Sequence, residues 1–418
     1  MAGLRDVETG NPTRTQEAQG LLLKLLDPAT RADPYPLYDR IREGGPLVLP
    51  EANLAVFSSF SDCDAVLRHP SSCSDRTKST IMQRQLAAET QPRPQGTPSF
   101  LFLDPPDHTR LRGLVSKAFS PRVVKGLEPD ITKLVNGLLD GVDGPEFNLI
   151  DQLAYPLPVA VICRLLGVPI EDEPQFSRAS ALLAAALDPF VTLTGQASDL
   201  FDEQMKAGMW LRDYLKALID ERRRRPGEDL MSGLIAVEES GDQLTEDEII
   251  ATCNLLLIAG HETTVNLIAN AVLALLRTPG QWAALATDAS RVSAVIEETM
   301  RYDPPVQLAS RVAGGDVTIG THPVPEGDTM LLLLAAAHRD PAVVRQPDRF
   351  DPDREHIRHL GFGKGPHFCL GAPLARLEAA AALTAVTAQF PRARLAGEPG
   401  YKTNLTLRGM STLSVSIS

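Results

Sequence analysis

The residues best placed to do chemistry lie together near the C-terminus, in the run Gly361-Phe362-Gly363-Lys364-Gly365-Pro366-His367-Phe368-Cys369-Leu370-Gly371. Three glycines within five residues, then a proline, make a loop that turns sharply and lets its backbone approach something flat and bulky. Cys369 stands just ahead of an Ala- and Leu-rich run, Ala372 to Phe390, that reads as a helix. The free N–H groups and positive dipole end of such a helix favour a thiolate. A thiolate there can serve as a nucleophile, a zinc ligand or a haem ligand. Zinc lacks partners, because no second cysteine or histidine pair stands nearby at finger or ribbon spacing. A nucleophile needs a base, and His367 would have to fold back to reach Cys369. A merely structural cysteine would leave the glycines unexplained.

Three other groupings carry chemical potential. Leu244-Thr245-Glu246-Asp247-Glu248 is a capping box that opens a helix running to about Arg277, where Thr278-Pro279-Gly280 ends it. That helix measures roughly 48 Å at the usual rise, long enough to cross a whole domain. Leu255, Ile258, Ala259, Glu262 and Thr263 follow the i, i+3, i+4, i+7, i+8 pattern and share one face. A buried carboxylate on an apolar face is costly unless it is paired or used, so Glu262 needs a reason, a structural salt bridge being the plain one. His108 and Arg112 stand at i and i+4 on a helix started by Asp104-Pro105-Pro106-Asp107, able to hold one anion between them or simply to form a basic surface face. Glu298 and Arg301 are spaced to pair in a helix closed by Pro304-Pro305.

The cysteine loop resembles the haem-binding loop of the cytochrome P-450 family, Phe-Gly-x-Gly-x-His-x-Cys-x-Gly, at Phe362, Gly363, Gly365, His367, Cys369 and Gly371. The resemblance spans about Asp33 to Ile417. It implies a mainly α fold with a small β region, haem b lying between the long central helix and the Cys369 helix. Cys369 would be the metal ligand, and His108, Arg112, Arg311 and His367 would hold the haem propionates. The run Ala259-Gly260-His261-Glu262-Thr263-Thr264 resembles the family's oxygen-activation segment. There Thr263 would hydrogen-bond bound dioxygen, Glu262 would relay protons, and Ala259 and Gly260 would leave room, with His261 structural. Leu255, Ile258, Ala259, Val306, Gln307, Leu308, Thr406 and Leu407 would line the substrate pocket, under a mobile lid between Glu173 and Trp210. Glu298, Arg301 and Arg349, the last from Pro347-Asp348-Arg349-Phe350, would form a structural network below the haem loop. Arg110, Lys117 and Lys364 would offer a docking patch on the cysteine side.

The implied activity is insertion of one oxygen atom of dioxygen into a hydrophobic small molecule, by hydroxylation or epoxidation. Electrons would come from NAD(P)H through separate partners, a ferredoxin and its reductase, since no flavin or ferredoxin motif is visible. A haem-thiolate peroxygenase generally lacks the Glu262-Thr263 type of pair, and a non-enzymatic gas sensor would need neither a proton relay nor a lid.

Composition sets outer bounds. The 418 residues carry a formal net charge of −12, with 43% hydrophobic and 22% charged, which excludes an extensively disordered chain and speaks against nucleic acid as a partner. Arg222 to Arg225 reads as the end of a surface helix. Five scattered cysteines point to a reducing, cytoplasmic setting without a disulfide framework. Met1 to Gln19 is polar, so neither a signal peptide nor a membrane anchor is expected. Residues 1–32 read as an N-terminal extension and 33–418 as a single catalytic domain. Within it a helix is expected to Glu43, then strands at Leu47–Leu49 and Leu54–Phe57, a long aperiodic connection from Ser74 to Ser99, and helix after helix from Pro129 to Glu239.

Overall fold

The computed structural model describes residues 12–88, 96–189, 193–194, 199–239 and 244–417. Its centre is the helix Glu246–Arg277, capped as the sequence requires: the Thr245 hydroxyl accepts from the Glu248 N–H, and the Glu248 carboxylate accepts from the Thr245 N–H at 2.8 Å. The helix is long and apolar enough to cross a membrane, but most of it is buried inside the protein. Around it pack Pro156–Leu166, Phe201–Arg224, Val292–Tyr302 and the cysteine-loop helix Ala372–Gln389. Their apolar faces form the largest core cluster, with Leu257, Val265, Ile268, Val272, Leu383 and Val386 at its heart.

The β region is small and does one job for the site. A five-stranded sheet runs in the order Leu47–Leu49, Leu54–Phe57, Thr329–Leu333, Leu308–Ala313, Ser72–Cys73. Leu54–Phe57 and Thr329–Leu333 pair in parallel, and the other neighbours are antiparallel. The strand carrying Arg311 is thereby fixed between two neighbours. The first hairpin falls where the alternation and the Gly-Gly-Pro turn put it.

One expectation is corrected. The stretch from Ser74 is not an unstructured connection: it holds a turn at Arg76–Lys78 and a helix at Thr80–Ala88, with residues 89–95 outside the described ones. From Leu21 on, the residues before 33 pack with the rest of the chain. Leu21, Leu22 and Leu25 are buried with Tyr35 and Tyr38 against the sheet, and buried Arg31 donates to the carbonyls of Leu25 (2.6 Å) and Thr403 (2.8 Å). The polar run ahead of these leucines masked them. The expected lid, from Glu173 to Trp210, takes in helix Glu173–Ala185 and the start of Phe201–Arg224, and residues 190–192 and 195–198 within it lie outside the described residues.

Candidate active site

The cysteine loop is built from left-handed glycines. Gly363 and Gly365 have φ of +70° and +67°, and a Cβ on Gly365 would come within 2.7 Å of the Leu67 carbonyl oxygen. Only glycine satisfies both demands. The loop closes on itself through Cys369 N–H to Phe362 O and Gly363 N–H to Leu360 O, both at 2.7 Å. Cys369 therefore sits at the head of Ala372–Gln389, exposed. Although the side chain keeps an open face, burial of its other sides among protein atoms raises its thiol pKa, while the N–H groups of Gly371 and Ala372 and the charges of Arg112 and Arg376 pull it down. Burial wins. The helix end alone does not make the thiolate that the sequence pattern suggested, whereas a bound metal ion would deprotonate the thiol outright.

Beside the cysteine the structure gathers four of the expected cofactor-binding residues from three elements. His108 and Arg112 come from Asp107–Ser116, Arg311 from its strand, and His367 from the turn Gly365–His367. The His108 and His367 rings lie 4.1 Å apart, and Arg112 Nη2 donates to the Phe368 carbonyl at 2.5 Å. Both nitrogens of His108 are buried without a partner. Desolvation lowers the Arg311 pKa to about 10, with Arg76 adding to the effect and Asp104 opposing it. Desolvation, then the charges of Arg311, His108 and Arg112, pushes His367 down to about 3. The acid that acts on them, Asp104, is already engaged by Lys78 Nζ at 2.8 Å and the Ser74 N–H at 2.7 Å. This is a cationic cradle in which both His108 nitrogens lack a partner, and it fits the two propionates of a haem.

One side of the central helix keeps a partly exposed stripe. Leu255, Ile258, Ala259 and Thr263 keep exposed surface in a stretch otherwise buried at Leu256, Leu257, Thr264 and Val265. Glu262 is buried and pairs with Lys402 Nζ at 2.7 Å. Thr263 Oγ1 donates to the Ala259 carbonyl at 2.7 Å and Thr264 Oγ1 to the Gly260 carbonyl at 3.2 Å, a pattern of back-bonding that bends helices. A Cβ on Gly260 would come within 2.9 Å of Ile162 Cδ1, so this glycine lets the neighbouring helix approach. His261 is buried, Nδ1 lying 2.5 Å from the Leu257 carbonyl oxygen.

Some expected residues point elsewhere. Val306 is partly exposed and bridges to buried Leu407. Gln307, however, is fully buried and donates to the Pro304 carbonyl at 2.7 Å, and Leu308 packs under the sheet with Leu331 and Leu333. Both are buried, whereas Ala309, not expected, keeps exposed surface. The Thr406 hydroxyl donates to Leu187 O at 3.1 Å and its N–H to Asp188 at 2.6 Å, tying the last hairpin to the lid-side segment. The supporting network also differs. Arg301 bonds Glu298 at 2.7 and 2.8 Å, both fully buried, but the other guanidinium on Glu298 is that of Arg354, at 3.1 Å. Arg349 is exposed and gives only its carbonyl, 3.0 Å from Arg301 Nη2. Pro-Asp-Arg occurs twice, five residues apart, and the second copy faces inward. Arg110 pairs with Glu248 at 2.5 Å and so is engaged away from any docking patch. Lys402, Arg354 and Arg76 were missed; of these only Arg354 had a signal, the repeated tripeptide.

Comparisons with known proteins agree on what surrounds this site. The family model described as Cytochrome P-450 matches residues 74–393. The chain is 40% identical to cytochrome P-450 107B1 of Saccharopolyspora erythraea over 410 residues, 94% of this chain and 97% of that one. It resembles the crystal structure of Mycobacterium smegmatis CYP164A2 with econazole bound, with a TM-score of 0.93 and 86% identity over 96% of this chain and 100% of that one. Myxobacterial CYP267B1 in complex with myristic acid gives a TM-score of 0.84 at 37% identity, covering 94% of this chain and 99% of the other.

Proposed function

Because the chain belongs to the cytochrome P-450 family, whose members bind haem b through the loop cysteine and incorporate oxygen from dioxygen, we propose a specific course for its own reaction. It hydroxylates or epoxidises a hydrophobic small molecule in the cytoplasm, with electrons from NAD(P)H passed through a separate ferredoxin and ferredoxin reductase. The observation that carries this reading is an exposed cysteine beside a cationic cradle in which both His108 nitrogens lack a partner, together with a partly exposed apolar stripe on the central helix next to an acid and a hydroxyl.

Cys369 would hold the iron, and His108, Arg112, Arg311 and His367 the propionates. When bound, the haem supplies the binding and activation of dioxygen. Leu255, Ile258, Ala259, Ala309 and Val306 orient an apolar substrate and exclude water from the cleft. Glu262, paired with Lys402, must part from the lysine before its carboxylate can carry a proton inward. The Thr263 hydroxyl must likewise release the Ala259 carbonyl to donate into the cleft. Economically, one bend of the helix frees both. The crystal structure of CYP164A2 with econazole supports a cleft that accepts a large apolar azole.

Turnover with NADPH, ferredoxin and ferredoxin reductase tests the proposal. The expected result is product matched to NADPH use in the native protein, and loss of that match with peroxide release in Thr263→Ala. A native protein that forms product from hydrogen peroxide alone, with no gain from the electron partners, would instead be a peroxygenase.

A further inference from the structure

Arg76 belongs to none of the groups above, yet it lies among them. Its turn, Arg76–Lys78, packs against the strand that carries Arg311. Its guanidinium carbon sits 4.5 Å from the centre of the Phe102 ring, and the Phe100–Phe102 turn packs against the helix carrying His108 and Arg112. It keeps part of its surface exposed. It is nevertheless enclosed enough that desolvation lowers its pKa, with no acid raising it. Among the described residues Arg76 has no ion pair. The acids near it are engaged: Asp104 by Lys78 and the Ser74 N–H, Asp75 by the N–H and hydroxyl of Thr77.

Charge counting shows what the arginine lacks. Two propionates bring two negative charges, and Arg112 and Arg311 answer them, while burial and neighbouring cations hold the pKa values of His108 and His367 below the ordinary one. Arg76 is the cation left over. A desolvated guanidinium without a counter-ion is expensive to keep. Stacking on Phe102 covers one face and leaves the planar N–H edges free, the arrangement that takes a carboxylate with two parallel hydrogen bonds.

Resting on the haem-enzyme reading above, we propose that Arg76 receives the carboxylate of the substrate, so that the preferred substrates are carboxylic acids with an apolar body. The acid end is held at Arg76, and the apolar body lies in the cleft walled by Leu255, Ile258 and Ala259.

The test is titration of the haem-loaded protein with dodecanoic acid and with methyl dodecanoate, followed by the shift of the Soret band. The native protein is expected to bind the acid about tenfold or more tightly than the ester, the usual strength of a hydrogen bond to a charged group. Arg76→Gln should erase that preference and Arg76→Lys should keep part of it, all three proteins having the same haem content. An equal preference in Arg76→Gln, or none in the native protein, overturns the proposal. Loss of haem from Arg76→Gln also overturns it, by assigning the arginine to a propionate. The spectrum of the reduced native protein with carbon monoxide reports on the underlying reading separately. Failure there removes that reading and the proposal together, whereas loss of the acid preference alone removes only the proposal.

Discussion

Glu378 shows how much a single buried side chain in the cysteine-loop helix sets for the whole protein. It is buried, one carboxylate oxygen has no partner, and burial alone pushes its pKa up to about 8 from an ordinary 4.5. The folded chain therefore keeps a proton that the unfolded chain gives up. The sign follows: stability from this group is whole below pH 4.5 and declines as pH rises to about 8, by about 1 kcal/mol per unit. Glu378→Gln should flatten that part of the pH dependence of Tm, and an unchanged slope would mean Glu378 is already ionised in the folded state. At this scale legibility in the sequence depended on locality. Cys369, His367 and the stripe from Leu255 to Thr263 were readable because each lies within a few residues of its own pattern. Lys402 was not, since it reaches Glu262 from 140 residues away in a hairpin with no signal of its own. Gln307 and Leu308 were misplaced because the partners that bury them, the Pro304 carbonyl and the distant strand of Leu331 and Leu333, leave no local pattern.

Helices and strands were legible where they carried their own start and stop signals. Glu246–Arg277 has a capping box and an apolar period, and both survive in the structure. Thr80–Ala88 is nine residues long, with neither acid in its first turn nor base in its last, and it passed for a loop. The sheet could not be assembled from sequence, because Leu54–Phe57 pairs in parallel with a strand more than two hundred residues later. The same distance problem hid which Pro-Asp-Arg supports the helix Val292–Tyr302. Arg354 touches Glu298 and four groups accept from its guanidinium, whereas Arg349 lies exposed. Arg354→Leu should therefore cost on the order of 2 kcal/mol, by leaving the buried Glu298 with one cation. Arg349→Leu should stay within about 0.5 kcal/mol. Paired thermal denaturation of the two variants checks this, and equal losses would contradict the assignment.

For the whole molecule, the fold brings a loop and a strand from the C-terminal third and a helix from the first third to one place. That convergence is what no local pattern states. The central claim is that Cys369, at the head of its helix, holds haem iron within the cradle of His108, Arg112, Arg311 and His367. The most direct measurement is the absorption spectrum of the purified, reduced protein under carbon monoxide, native and Cys369→Ala side by side. A strongly red-shifted Soret band in the native protein, absent from Cys369→Ala, is the predicted result. A native band typical of histidine ligation, or the same band in both proteins, would contradict it.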